Sequence, residues 1–84
     1  AEKGDLRMRY ETLPPRERNV LELVVSGLMN KQAAAALTIS EVTLQLHRRN
    51  VMKKMAAESL ADLVRMAEKL SIPITRSRRG DAKE

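Results

Sequence analysis

Gln45, Arg49 and Lys53 follow one another at intervals of four residues, with the apolar Val42 and Leu46 set among them. If residues 41–55 are helical, a wheel advancing roughly 100° per residue puts all five in one arc, about 100° to 200° from Leu44. Val51 and Met55 fall within about 20° of Leu44, so that side faces inward and the five-residue arc faces outward. An amide and a guanidinium on one exposed stripe can each make paired hydrogen bonds with base edges: Arg with guanine O6 and N7, Gln with adenine N6 and N7. Val42 and Leu46 suit the thymine methyl, which is apolar and lies in the same groove. Arg48, Lys53 and Lys54 would neutralise phosphates without reading sequence. Thr43, Asn30 and Lys31 can reach phosphate oxygens through hydroxyl, ammonium and backbone N–H groups.

The distribution of charge agrees. The 84-residue chain carries a net +5. Residues 41–55 hold +3 of it, from Arg48, Arg49, Lys53 and Lys54 against Glu41, while residues 1–40 and 56–84 carry +1 each. Basic residues on an exposed helix are more often solvated surface than contacts; two apolar residues within the stripe shift the balance toward contact. Tyr10 is the only aromatic residue. Readers of single strands and of RNA stack bases on several rings, so the composition favours a duplex.

Other chemistries are poorly supplied. With no Cys there is no disulfide or thiol nucleophile, and a reducing, cytoplasmic setting is compatible. His47 is the only histidine and has no catalytic partner, so it reads as a packed, hydrogen-bonded residue at the core edge. Neither a zinc cluster nor a glycine-rich phosphate loop is present, and Glu22, Glu58, Asp62 and Glu68 are scattered as on solvated helix surfaces. No catalytic, metal or cofactor site is expected. No apolar run approaches the ~20 residues of a membrane span.

The elements that must hold the stripe follow from local signals. Leu13-Pro14-Pro15-Arg16-Glu17 opens a helix over residues 15–26, with Val20, Leu21, Val24 and Leu28 at helical spacing and Ser26-Gly27 as the stop. Residues 30–37 form a second helix rich in alanine. Thr38-Ile39-Ser40 is a turn, and Ser40 caps a third helix over 41–55. A fourth spans 59–69, with Leu60, Leu63, Val64, Ala67 and Leu70 on one face. The expectation is an all-α, compact four-helix domain over residues 13–72 that contains a helix-turn-helix. Residues 1–12 lack apolar periodicity and read as an arm or linker; residues 73–84, with Arg76, Arg78 and Arg79, read as a basic disordered tail. A chain opening at Ala1 rather than Met is expected of an excised domain.

Residues 13–70 closely resemble the LuxR/FixJ-type helix-turn-helix, the carboxy-terminal output domain of bacterial two-component response regulators. The resemblance rests on Pro-Arg-Glu-Arg at 15–18, Asn30-Lys31, Ile39-Ser40, and Thr43, His47, Val51, Lys54 and Met55. Asn50-Val51-Met52 and the stretch from Ser59 to Ala67 look most like the FixJ branch. The resemblance implies dimeric, sequence-specific binding of duplex DNA at inverted half-sites to regulate transcription. It assigns base reading to Gln45, Leu46 and Arg49 and backbone contact to Lys31, Thr43, His47 and Arg48. It places the dimer contact on the fourth helix, where Ala61, Arg65, Met66 and Glu68 are the outward candidates. It also implies that residues 1–12 continue a linker from an amino-terminal receiver domain, and that contact with RNA polymerase accompanies the role. The setting would be cytoplasmic, at the nucleoid.

Four residues depart from the family pattern. Pro14 replaces a capping hydroxyl, worth about 1 kcal/mol. Ala33 replaces a larger aliphatic residue, implying a thin core that Ala33→Ile would fill. Thr38 stands where glycine is frequent, and a β-branched residue suits a left-handed backbone poorly. Gln45 replaces a common lysine. The reading from a different class is a helical protein-interaction module in which Met66 and Arg65 face a partner and the stripe on the third helix is merely solvated.

Overall fold

The computed structural model describes residues 2–72, with Glu2 and Lys3 described by backbone only. Five helices run through them: α1 (Glu2–Glu11), α2 (Pro15–Val25), α3 (Asn30–Leu37), α4 (Glu41–Met55) and α5 (Leu60–Lys69). The class is all-α, as expected. The bounds of α3 and α4 are those the sequence predicts, and α2 and α5 differ by one residue at one end. The predicted disordered tail, residues 73–84, lies outside the described residues.

Helix α1 is one more than the four expected. Its Leu6, Met8 and Tyr10 fall at alternate positions and make no helical stripe, which is why residues 1–12 read as an arm. Contacts with the rest of the domain supply what periodicity lacks. Leu6 is buried in the common core, Tyr10 packs against its edge, and α1 lies on α4. Arg9 Nη1 donates to Met55 O at 3.3 Å, and its other guanidinium nitrogen pairs with Asp5 one turn earlier.

The core is built from Val20, Leu21, Val24 and Val25 of α2, Ala33 and Ala34 of α3, Leu44, Val51 and Met55 of α4, and Leu63 and Ala67 of α5. Each fully buried Val, Leu or Met side chain among them contributes about 1.5–3 kcal/mol. The longest helix, α4, packs against α1, α2 and α3 at once, while α5 rests on α2. The inward face predicted for α4 is therefore correct: Leu44, Val51 and Met55 are all enclosed. Leu60 departs from its predicted face and stays 40% exposed. Ala33 is 0% exposed, so its short side chain is wholly enclosed where α3 meets the core.

Helix ends account for much of the remaining order. Ser40 Oγ accepts from Thr43 N–H at 3.0 Å and Ser59 Oγ from Asp62 N–H at 3.1 Å, both as N-caps. Pro14 gives α2 no side-chain cap, as its missing hydroxyl implies. At their other ends α2, α3, α4 and α5 all close with the same paired bonds. A residue one (α3, α4) or two (α2, α5) past the helix takes a left-handed conformation, its N–H bonds three residues back, and the next N–H bonds five residues back. The four left-handed residues are Gly27, Thr38, Ala56 and Ser71. Only the first is glycine, and Thr38 occupies the strained place that the sequence indicated, at φ 58°. Three arginines then serve the negative ends of three helices. Arg18 Nη2 donates to Glu11 O, Arg16 Nη1 to Leu37 O and Arg9 Nη1 to Met55 O, each at 3.3 Å.

Candidate nucleic-acid interface

Helix α3, the turn at 38–40 and α4 form the helix-turn-helix, and α4 presents one long face to solvent. On it Val42 is 77% and Leu46 52% exposed, with Gln45, Arg49 and Lys53 exposed beside them. The Ser40 cap fixes where this face begins. Enclosure of Leu44, Val51 and Met55 fixes its rotation. The five residues of the sequence-derived arc thus share one surface. Among the described residues, no side-chain hydrogen bond or ion pair engages Gln45, Arg49, Lys53 or Lys31. Their donors are free for an external acceptor, and a stripe of donors with apolar side chains between them can match base edges and thymine methyls together.

The other candidates are placed less uniformly. Arg48 is half-buried, and its Nη1 donates to Asn30 Oδ1 at 2.8 Å, bridging α4 to the start of α3. Lys31 stands next to this bridge and is exposed. Thr43 is half-buried, and its Oγ1 accepts from Ser40 Oγ at 3.0 Å. Its hydroxyl proton remains available to donate outward. Lys54 points away from the stripe: its Nζ lies 3.0 Å from Glu17 Oε1, in an ion pair with α2. His47 sits half-buried at the core edge, yet its Nδ1 is covered and has no hydrogen-bond partner among the described residues. The packed part of the expectation holds and the hydrogen-bonded part does not.

On α5, Ala61, Arg65 and Glu68 are exposed and Met66 is half-buried. Arg65 Nη2 reaches Asp62 Oδ1 at 3.3 Å, a surface pair. Leu60, which the sequence assigned to the core side, joins the exposed residues here. Met29, immediately before α3, is another exposed apolar residue that periodicity did not single out, since it lies between helices. Groups of acidic residues or histidine able to hold a metal ion do not occur among the described residues. None of the described helices is long and apolar enough to cross a membrane.

Comparison with known proteins places this geometry in a wider set. Residues 11–67 match the model of the bacterial regulatory proteins of the luxR family. The chain is 56% identical over 69 residues to nodulation protein W of Bradyrhizobium diazoefficiens, covering 82% of this chain and 30% of that protein. It is 56% identical over 64 residues to the transcriptional regulatory protein FixJ of Rhizobium meliloti, covering 76% of this chain and 31% of that one. Among solved structures, response regulator StyR superimposes with a TM-score of 0.78 at 46% identity, over 81% of this chain and 34% of that one. The chain spans about a third of the length of these relatives.

Proposed function

The chain belongs to the luxR family of bacterial regulatory proteins, a family of transcription regulators with a helix-turn-helix DNA-binding domain, and from that premise we propose a specific mode of action. It binds double-stranded DNA sequence-specifically, as a dimer on an inverted-repeat site, and serves as the output domain of a response regulator. The observation that carries this reading is the unpartnered outer face of α4, where Gln45, Arg49 and Lys53 keep their donors free beside exposed Val42 and Leu46. Gln45, Leu46, Arg49 and Val42 read base edges in the major groove. Lys31, Thr43, His47, Arg48 and Lys53 contact phosphates, and Asn30 belongs to the same margin. Lys54, the remaining phosphate candidate, is paired with Glu17, which supports a second part for it in holding α4 in place.

Dimerisation would run through the outer surface of α5, with Ala61, Arg65, Met66 and Glu68, extended by Leu60. Apart from Leu60 and the half-buried Met66 these side chains are short or charged, which suits a pair that assembles on DNA more than one that persists alone. Residues 1–12 would connect to a receiver domain, RNA polymerase would be a further partner, and the setting would be the cytoplasmic nucleoid.

Selection of bound duplexes from a random DNA pool tests the reading. Enrichment of a two-fold symmetric site with half-sites about one helical turn apart is the expected result. Weak, uniform, salt-sensitive binding with no preferred sequence would overturn it and leave only a basic surface.

A further inference from the structure

The bridge between Arg48 and Asn30 separates two residues that charge and position alone would treat alike. The Asn30 side-chain oxygen accepts from Arg48 Nη1 at 2.8 Å, and the pair spans 18 residues of sequence from the first turn of α3 to the middle of α4. Both residues are half-buried. An arginine stem left free samples many rotamers, and that freedom is lost when the guanidinium settles on a phosphate. A short bond to a charged donor is among the stronger kinds, and it holds the planar group in one orientation before any ligand arrives. One Arg48 nitrogen is engaged, and the remaining guanidinium donors can still face outward beside exposed Lys31.

We propose that Asn30 is a positioning residue: its amide oxygen holds the Arg48 guanidinium ready for a DNA phosphate, and Asn30 does not itself carry the contact. The inference rests on the DNA-binding reading of α4 and deepens it. Preorganisation of this kind lowers the cost of binding without adding a contact. The effect is the same on every sequence, because phosphates carry no base identity.

The test is a double-mutant cycle on the whole chain, with a short mixed-sequence B-form duplex as probe and affinity measured across a salt series. Arg48→Ala is expected to weaken binding about five- to tenfold and to lower the slope of log affinity on log salt by about one. Asn30→Ala should weaken wild-type binding about threefold, and should change nothing further when Arg48 is already alanine. Equal losses from Asn30→Ala in both backgrounds would overturn the proposal, since Asn30 would then act by itself. Asn30→Asp keeps an acceptor at the helix start and pairs ionically with Arg48. It should leave the melting temperature at or above that of the wild type and lower the salt slope by about one. An unchanged slope in that folded variant would also overturn it. Should the unaltered chain show no salt-dependent binding to any duplex, the DNA-binding reading fails first and the bridge is structural only.

Discussion

Lys54 Nζ lies 3.0 Å from Glu17 Oε1, tying the last turn of α4 to the first turn of α2. Asn50 Nδ2, one turn earlier on α4, reaches the other oxygen of the same carboxylate at 3.4 Å. Two residues on one side of α4 thus converge on a single acceptor, which opposes rotation of the helix about its own axis. The outer stripe keeps its bearing because this polar clamp and the enclosed Leu44, Val51 and Met55 act together.

The two partners of that ion pair are unequally placed, and their removal should differ. The Glu17 side chain is 7% exposed and that of Lys54 39%. In Glu17→Ala the lysine can turn to water, so the loss should be about 1 kcal/mol, as for a partly solvated pair. In Lys54→Ala the carboxylate stays trapped with only Asn50, and about 2–3 kcal/mol should be lost. Denaturant unfolding of the two variants checks the order; a larger loss for Glu17→Ala would show that the carboxylate escapes to solvent.

Thr38, Ala56 and Ser71 each hold a left-handed backbone that costs an L-residue about 1–2 kcal/mol. All three are exposed, so glycine there loses no packing. Thr38→Gly and Ala56→Gly should each stabilise the domain by about 0.5–1 kcal/mol after the greater unfolded-state freedom of glycine is counted. The gain should be larger at Thr38, because β-branching worsens the strain. A rise of about 2–8 °C in melting temperature is the corresponding readout.

Ala33→Ile should act in the opposite direction from a cavity-filling change. Ala33 is wholly enclosed in the core, so a longer side chain must push α3 off its neighbours. A loss of about 1–3 kcal/mol is expected. Because α3 and α4 share the Asn30–Arg48 bridge, the same variant should also bind duplex DNA less well than its stability alone explains. Thermal unfolding in parallel with a binding titration separates the two effects, and a higher melting temperature would restore the thin-core account.

Arg49 and Lys53 occupy the same exposed face and should fail in different ways. Arg49→Ala should cost about 1–3 kcal/mol on a selected site and relax preference at one base position in each half-site. Lys53→Ala should weaken selected and unrelated duplexes alike and lower the salt slope by about one. Repeating the duplex selection with each variant distinguishes them. An unchanged base preference for Arg49→Ala would remove it from the reading set.

Much of the helix-turn-helix was legible because its signals are local. Ser40, the spacing of Leu44, Val51 and Met55, and the alanine run that precedes the turn all lie within about 25 residues. What stayed hidden depends on partners far along the chain. Lys54 looks like any other basic residue until Glu17, 37 residues away, is seen beneath it. Glu17 in turn reads as a first-turn acid favoured by the helix dipole, which gives no hint of its burial. Leu60 fits the apolar spacing of α5, but its place at the first turn leaves it outside the packed layer. Helix α1 is the largest such case, since the contact of Arg9 with Met55 spans 46 residues.

Whether α1 is part of the folded unit can be decided by a single core substitution. Leu6 is 6% exposed and joins the common core, whereas an arm would leave it in water. Leu6→Ala should therefore destabilise the whole domain by about 2–3 kcal/mol, the lower part of the range for buried leucine because the site lies at the edge of the core. Arg9→Ala removes only a partly exposed hydrogen bond and should cost about 0.5–1 kcal/mol. It should nevertheless speed amide exchange in the last turn of α4, where Met55 O loses its cationic partner. If Leu6→Ala leaves the unfolding curve unchanged, α1 is an independent arm resting on the domain. If it lowers the whole curve, the end of α4 is held from outside the helix-turn-helix, and whatever moves α1 also acts on α4.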